Sequence, residues 1–368
     1  MRGASLYGTE RRNAPSAHGE GEPGRTEGGP WLLAGHDGRL TVYLHTGDAL
    51  LRWTQEAVGA SRWSGPDAHP VKDLTHLTVA QGQNRYVHFV GRRVRPKADG
   101  RSAVDIVCAT QYQSGRPVTE WRSLGNPFKD LDRSEQVGVP SAAVANGGAL
   151  YVCVPTAWGG AALRREDRNG QWEAWKELDI AGVTDRPSLA ATAGGLVELL
   201  APTRVAALHL RQSGQGEGLV RGYDAGVVPL PGSATALETA PGRMTHYLTD
   251  VRGGGVVAFR PGNWPMPLGG TPGDGRIAAV RGTVDGFDCT VLAVRGPDGS
   301  VHLGACSTEE ERGGMWWTDT GATAAGDPSL ALDGYGRVVV AVSGADGRPV
   351  LARQTDGPGL TLGDWSRI

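Results

Sequence analysis

The chain repeats itself. Pro140-Ser141, Pro187-Ser188 and Pro328-Ser329 each open an Ala/Leu-rich segment, and the spacings are 47 and then 141 residues, three times 47. Gly148, Gly195, Gly242 and Gly336 each precede an apolar stretch and keep the same ruler, at 47, 47 and 94. Trp63, Trp121, Trp175, Trp317 and Trp365 recur towards the unit ends, and Tyr223 and Trp264 take the two remaining slots. A period of this length marks a repeat architecture, in which no unit buries its apolar face alone. Each unit divides into four short apolar runs. The last predicts strands at 328–333, 336–342, 349–354 and 362–368, turned by Gly334 and Asp346-Gly347, and the first predicts them at 31–35, 39–44, 50–55 and 61–63.

The units fall near 31–70, 71–130, 136–182, 183–230, 231–272, 273–325 and 326–368. Seven four-stranded antiparallel units predict an all-β protein, a seven-bladed β-propeller, preceded by an irregular arm over 1–30. First strands are rich in small residues (Ala142, Ala143, Ala190, Ala191, Ala278, Ala279), which suits strands converging on an axis. Outer strands carry Trp, which fills the widening gap between blades. A linear solenoid is the structural rival, but its repeats are usually shorter. The 57 Gly among 368 residues demand frequent turns and argue against long helices.

A net charge of −2 speaks against nucleic acid as a partner. The excess of Arg over Lys reads as codon bias of a GC-rich genome, as in many bacteria. The most apolar window, 188–210, is broken by Glu198, Pro202 and Arg204, so it predicts consecutive strands and no membrane insertion. Residues 1–30 have no apolar core of the kind a secretory signal needs, which predicts a flexible arm and a cytoplasmic protein, or one released within a larger assembly.

Gly38-Arg39-Leu40-Thr41-Val42-Tyr43-Leu44, followed by Ala49-Leu50 and Gln55, resembles the "GRLxVF…G…AL…Q" repeat of the seven-bladed propeller lectins typified by the Photorhabdus lectins. Glu120-Trp121-Arg122-Ser123-Leu124-Gly125 is similar to their "W-x-S-L-G" ending, and Gly336-Arg337-Val338 with Asp364-Trp365 echoes the pattern in the last unit. The resemblance spans 31–368 and is strongest in the first, second and last units. It implies sugar pockets between neighbouring blades, walled by aromatic side chains, for fucose and related sugars. Leu51 and Arg52 stand where those lectins tend to carry Trp-His, and units four and five lack the outer ending. Only a few sites are therefore expected.

A sugar site needs a flat aromatic face and convergent polar groups. The candidates are Trp53, Trp63, Trp121, Trp158, Trp172 and Trp316, with Arg52 and Arg122 as polar neighbours. Trp residues on the period are also what inter-blade packing requires. The off-period ones say more: Trp158 sits in the turn-like Ala157-Trp158-Gly159-Gly160, and Trp172 and Trp316 lie beside a period Trp and should face the other way.

No GxSxG, HExxH or Walker A motif occurs, and no catalytic residue, metal or cofactor is assigned. His88 and His246 lie in predicted strands and read as structural. Asp130, Asp132 and Glu135 lack the Gly of a calcium loop and read as a solvated linker. Cys289 and Cys306 flank a turn at Asp298-Gly299 that places them diagonally rather than opposite, which disfavours a disulfide. The basic run Arg92 to Lys97 and the acidic run Glu309 to Glu311 are candidates for steering a partner. Three readings stay open: a lectin for fucose-like, galactose-like or bacterial wall sugars; a subunit that docks a protein through 1–30; and an enzyme with its site at the channel mouth.

Overall fold

A strand pressed on both faces by neighbouring sheets must be apolar throughout. The second strands come near that demand: Val197–Pro202 and Val338–Ser343 are buried at every residue and apolar at all but Glu198 and Ser343. Outer strands do not, and Trp63–Pro70 is mostly exposed and ends in Pro at a sheet edge. The computed structural model describes residues 28–368, which form seven sheets, each of four antiparallel strands consecutive in the chain. The protein is a seven-bladed β-propeller. Of the arm expected over 1–30, residues 1–27 lie outside the described residues.

Inner strands run Trp31–Ala34, Leu74–Gln81, Ser141–Val144, Ser188–Ala191, Thr235–Ala240, Ala278–Val284 and Ser329–Leu332, one per blade. The hydrophobic cores lie between blades rather than within them. Tyr43 and Leu50 of blade one, for example, share a core with Phe89 and Val107 of blade two. Val291 and Val294 serve two different junctions, packing towards blades seven and five respectively. The expected Trp packing holds in blades three, six and seven. The indole N–H groups of Trp175, Trp317 and Trp365 donate to the carbonyls of Leu124, Leu268 and Thr320, each on the outer strand of the preceding blade. Tyr223 and Trp264 depart from the expectation, being 73% and 89% exposed. Tyr223 follows blade four's outer strand, which ends at Arg221, and Trp264 precedes blade five's, which begins at Met266.

Several smaller expectations meet the structure. The window 188–210 divides into consecutive strands. All four cysteines are free. Cys289 stands opposite Ser307, and Cys306 opposite Thr290, which turns the two sulfurs to opposite faces of the sheet rather than diagonal on one. The acidic linker is a short helix, Leu131–Glu135, whose N-cap Asp130 accepts from Arg133 N–H. Part of each charge run is engaged inside the molecule, while Arg95, Lys97 and Glu310 are exposed. Arg92 donates to the carbonyls of Val137 and Glu135, while Glu309 pairs with Arg243 and Glu311 with Arg260, clamping blade six to blade five. Among the described residues no helix is long and apolar enough to cross a membrane.

Candidate functional site

The best-built cleft lies between blades six and seven. It starts from a two-residue turn, Asp285-Gly286, whose φ angles of 51° and 82° are the left-handed pair that a tight hairpin requires. That turn projects the Asp285 carboxylate towards blade seven, where Gly359 N–H donates to both oxygens at 2.8 and 3.0 Å. The cleft beside it has a volume of about 510 Å³. Phe287, Trp316, Leu303 and Leu360 form apolar walls, and Asp285, Ser307 and Thr318 supply oxygens.

Trp316 faces solvent because its neighbour does not. Trp317 turns into the junction of blades five and six, where Gly304 leaves room for it: a Cβ there would stand 2.9 Å from the Trp317 ring. Alternation along the strand then sends Trp316 the other way, 76% exposed, with Phe287 68% exposed nearby in the cleft. Cys289 and Cys306 lie among the lining residues, Cys289 with its thiol on the same face of the sheet as Trp316 and Cys306 with its thiol on the other. Burial pushes the Cys306 thiol up to about 12, and the charges of Glu311 and Cys289 add to it; burial also raises Cys289. Thiols held protonated are poor nucleophiles, so the cleft is equipped to bind rather than to react through sulfur.

The other sequence candidates are not gathered here. Trp53 is buried in the core between blades seven and one, and Trp63 packs against it. Trp121 is half-buried, its ring centroid 6.5 Å from that of Phe89. Arg52 is 4% exposed; it pairs with Asp67 and donates to the carbonyls of Arg116 and Gly115, tying blade one to blade two. Arg122 is exposed on blade two's outer strand. Trp172 is half-buried against a core, with the Arg164 guanidinium 5.7 Å from its ring. Trp158 is 77% exposed and holds φ +61°, with Arg133 lying between it and Phe128 at 5.2 and 3.7 Å. Phe287 escaped the sequence reading, although its place just after an Asp-Gly turn was a usable signal.

A second cluster went unread. Glu198, His209 and His246 meet fully buried at the junction of blades four and five. Both Nε2 atoms face one Glu198 oxygen, at 3.1 and 3.3 Å, and Arg211 approaches the other at 3.2 Å. These residue types are metal ligands. Coordination through Nε2, however, would oblige each Nδ1 to carry a proton, and both Nδ1 atoms are buried without a hydrogen-bond partner. The arrangement fits two Nε2–H donors clasping a carboxylate. Burial alone would raise Glu198, but the two donors outweigh it and hold the carboxyl at about 2. Burial depresses His246, against the pull of Glu198. The signal was Glu198 itself, a charge inside an otherwise apolar strand.

No known protein-family profile matches the chain, and no curated protein sequence matches it. Solved structures do. The BP39L lectin from Burkholderia pseudomallei is similar with a TM-score of 0.66 at 12% identity, over 90% of this chain and 96% of that one. The NanB sialidase from Streptococcus pneumoniae is similar with a TM-score of 0.53 at 8% identity, over 83% and 80%. A Hadza microbial sialidase, Hz136, gives 0.51 at 16% identity, over 82% and 73%. At such identities the likeness is one of fold.

Proposed function

We propose that this protein is a carbohydrate-binding propeller, a divergent relative of the seven-bladed propeller lectins, and that its glycan site is the cleft between blades six and seven. The observation that carries the reading is Trp316, a large flat apolar side chain left in solvent beside Phe287 and three oxygen-bearing side chains. An indole face covers the C–H side of a pyranose, and fixed oxygens read its hydroxyls. The similarity of fold to a protein described as a lectin supports the reading. Fucose-like, galactose-like and bacterial wall sugars are the ligand classes to try first. The aromatic cleft favours a glycan over a protein docked through 1–30.

The test is a glycan array probed with the wild-type chain and with Trp316→Ala. Binding to a defined set of sugars, lost in the variant, is expected. A blank array, or equal binding by both proteins, overturns the proposal.

A further inference from the structure

One position of every repeat falls at the mouth where the inner strands begin, and in six of the seven it lines the axial channel; Ser233 of blade five is fully buried and bonded to Leu230 and Thr249 instead. The residues there are Gly29, His76, Val139, Arg186, Ser233, Arg276 and Asp327; Gly29 to His76, Val139 to Arg186 and Arg186 to Ser233 are each 47 apart. All but Ser233 line one cavity of about 320 Å³. Residues from blades one, two, three, four, six and seven can share a cavity only at the axis. The repeat thus builds a ring, and the ring is charged.

Two arginines and one aspartate make its ionic content. Arg52, Arg260 and Arg337 each have a carboxylate within ion-pair distance. Arg186 and Arg276 have neither an ion pair nor a hydrogen bond among the described residues, although both are half-buried. Burial disfavours the charge of each, Asp327 partly compensates, and Arg186 further disfavours Arg276 across the channel. Asp327 lines the same cavity without forming an ion pair with either arginine: a Cβ on Gly275 would stand 2.1 Å from its Oδ1, so the carboxylate lies against that glycine. Asp185, the other acid near Arg186, also favours its charge, but its carboxylate accepts from Gly232 N–H and makes no ion pair with that guanidinium. A guanidinium does not shed its proton in a protein, so the two of them at this small cavity, with no ion pair or hydrogen bond among the described residues, leave charged donors unused there.

We propose that this mouth binds a small-molecule oxyanion, a carboxylate or a phosphate group, held between Arg186 and Arg276. The planar forks of two guanidinia suit either group, and Trp31, Leu77 and Val139 provide an apolar wall for the rest of the ligand. The site shares no residue with the cleft of Trp316, so it stands whether or not that cleft binds sugar.

The experiment is calorimetric titration of the full chain with inorganic phosphate, acetate and glucuronate, in a chloride-free buffer at fixed ionic strength. Saturable binding of one or more is expected, weakened at least about tenfold in Arg186→Gln and in Arg276→Gln. Phosphate alone would assign a phosphate ligand; acetate or glucuronate alone would assign a carboxylate. Asp327→Asn keeps both guanidinia and removes the competing charge, so it should bind the same anion several-fold tighter; this arm decides the matter if the arginine variants do not fold. No saturable binding of any probe, full affinity in both arginine variants, or no tightening in Asp327→Asn overturns the proposal.

Discussion

The backbone N–H of Leu32 donates to the hydroxyl of Ser329 at 2.9 Å, across 297 residues of chain. Because every blade is made of four consecutive strands, no strand among the described residues at one end of the chain completes the sheet of the other. The ring closes on side chains instead. Leu32 and Trp53 share a core with Val339 and Leu351, and Tyr335 and Arg353 reach the carbonyls of Val58 and Gly59, each at 3.5 Å.

Ser329→Ala strands the buried Leu32 N–H at that seam. A loss of about 1–3 kcal/mol is expected in urea unfolding. Ser366→Ala, on an exposed outer strand, should cost less than about 0.5 kcal/mol. Equal, negligible losses would mean that the seam bond contributes nothing to closure.

Adjacent tryptophans should separate stability from binding. Trp317→Ala removes a packed indole and its bond to Leu268, and about 3 kcal/mol is expected to go with it. Trp316→Ala removes an exposed one, at a cost under about 0.5 kcal/mol. Thermal melts of the two variants check the contrast, and a reversed order would contradict the assignment of faces.

The ring was legible because its markers are local. Pro140, Pro187 and Pro328 open inner strands, and Trp175, Trp317 and Trp365 plug junctions, so a count along the chain finds them. Trp316 was legible from one neighbour and the period of a strand. The clasp of Glu198 was not, because its partners come from another strand and another blade, and no spacing rule joins 198 to 209 and 246. Arg52 misled for the opposite reason: a charged residue in a motif position looked available, whereas Asp67 and the second blade's turn had claimed it. The axial residues kept the 47-residue ruler in part, but their convergence is a property of closure, which a linear reading does not display.

Glu198→Gln tests the clasp. A neutral amide cannot satisfy two buried imidazole N–H groups and Arg211 as a carboxylate does, and a loss of about 3 kcal/mol is expected in chemical unfolding. An unchanged midpoint would contradict the reading.

Acid should weaken the fold in a defined window. Burial lowers His88 from 6.5 to about 4, so the unfolded chain takes up this proton first as pH falls. The stability held by neutral His88 is therefore full above pH 6.5 and lost on descending to about pH 4, roughly 3 kcal/mol in all. His246, also lowered by burial, adds to the same limb. Unfolding curves from pH 7.5 down to 4.5 should show the slope, and His88→Asn, which can keep the bond to Thr110, should flatten it. An unaltered slope in the variant would contradict the assignment.

The most direct measurement is the stoichiometry of glycan binding by calorimetry, using the sugar that the array selects. A ring of equivalent inter-blade sites would bind several sugars per chain, whereas the exposed indole and its oxygens occur together between blades six and seven. The account predicts one sugar per chain, with binding abolished by Trp316→Ala. Several per chain, or one that survives that substitution, would contradict it.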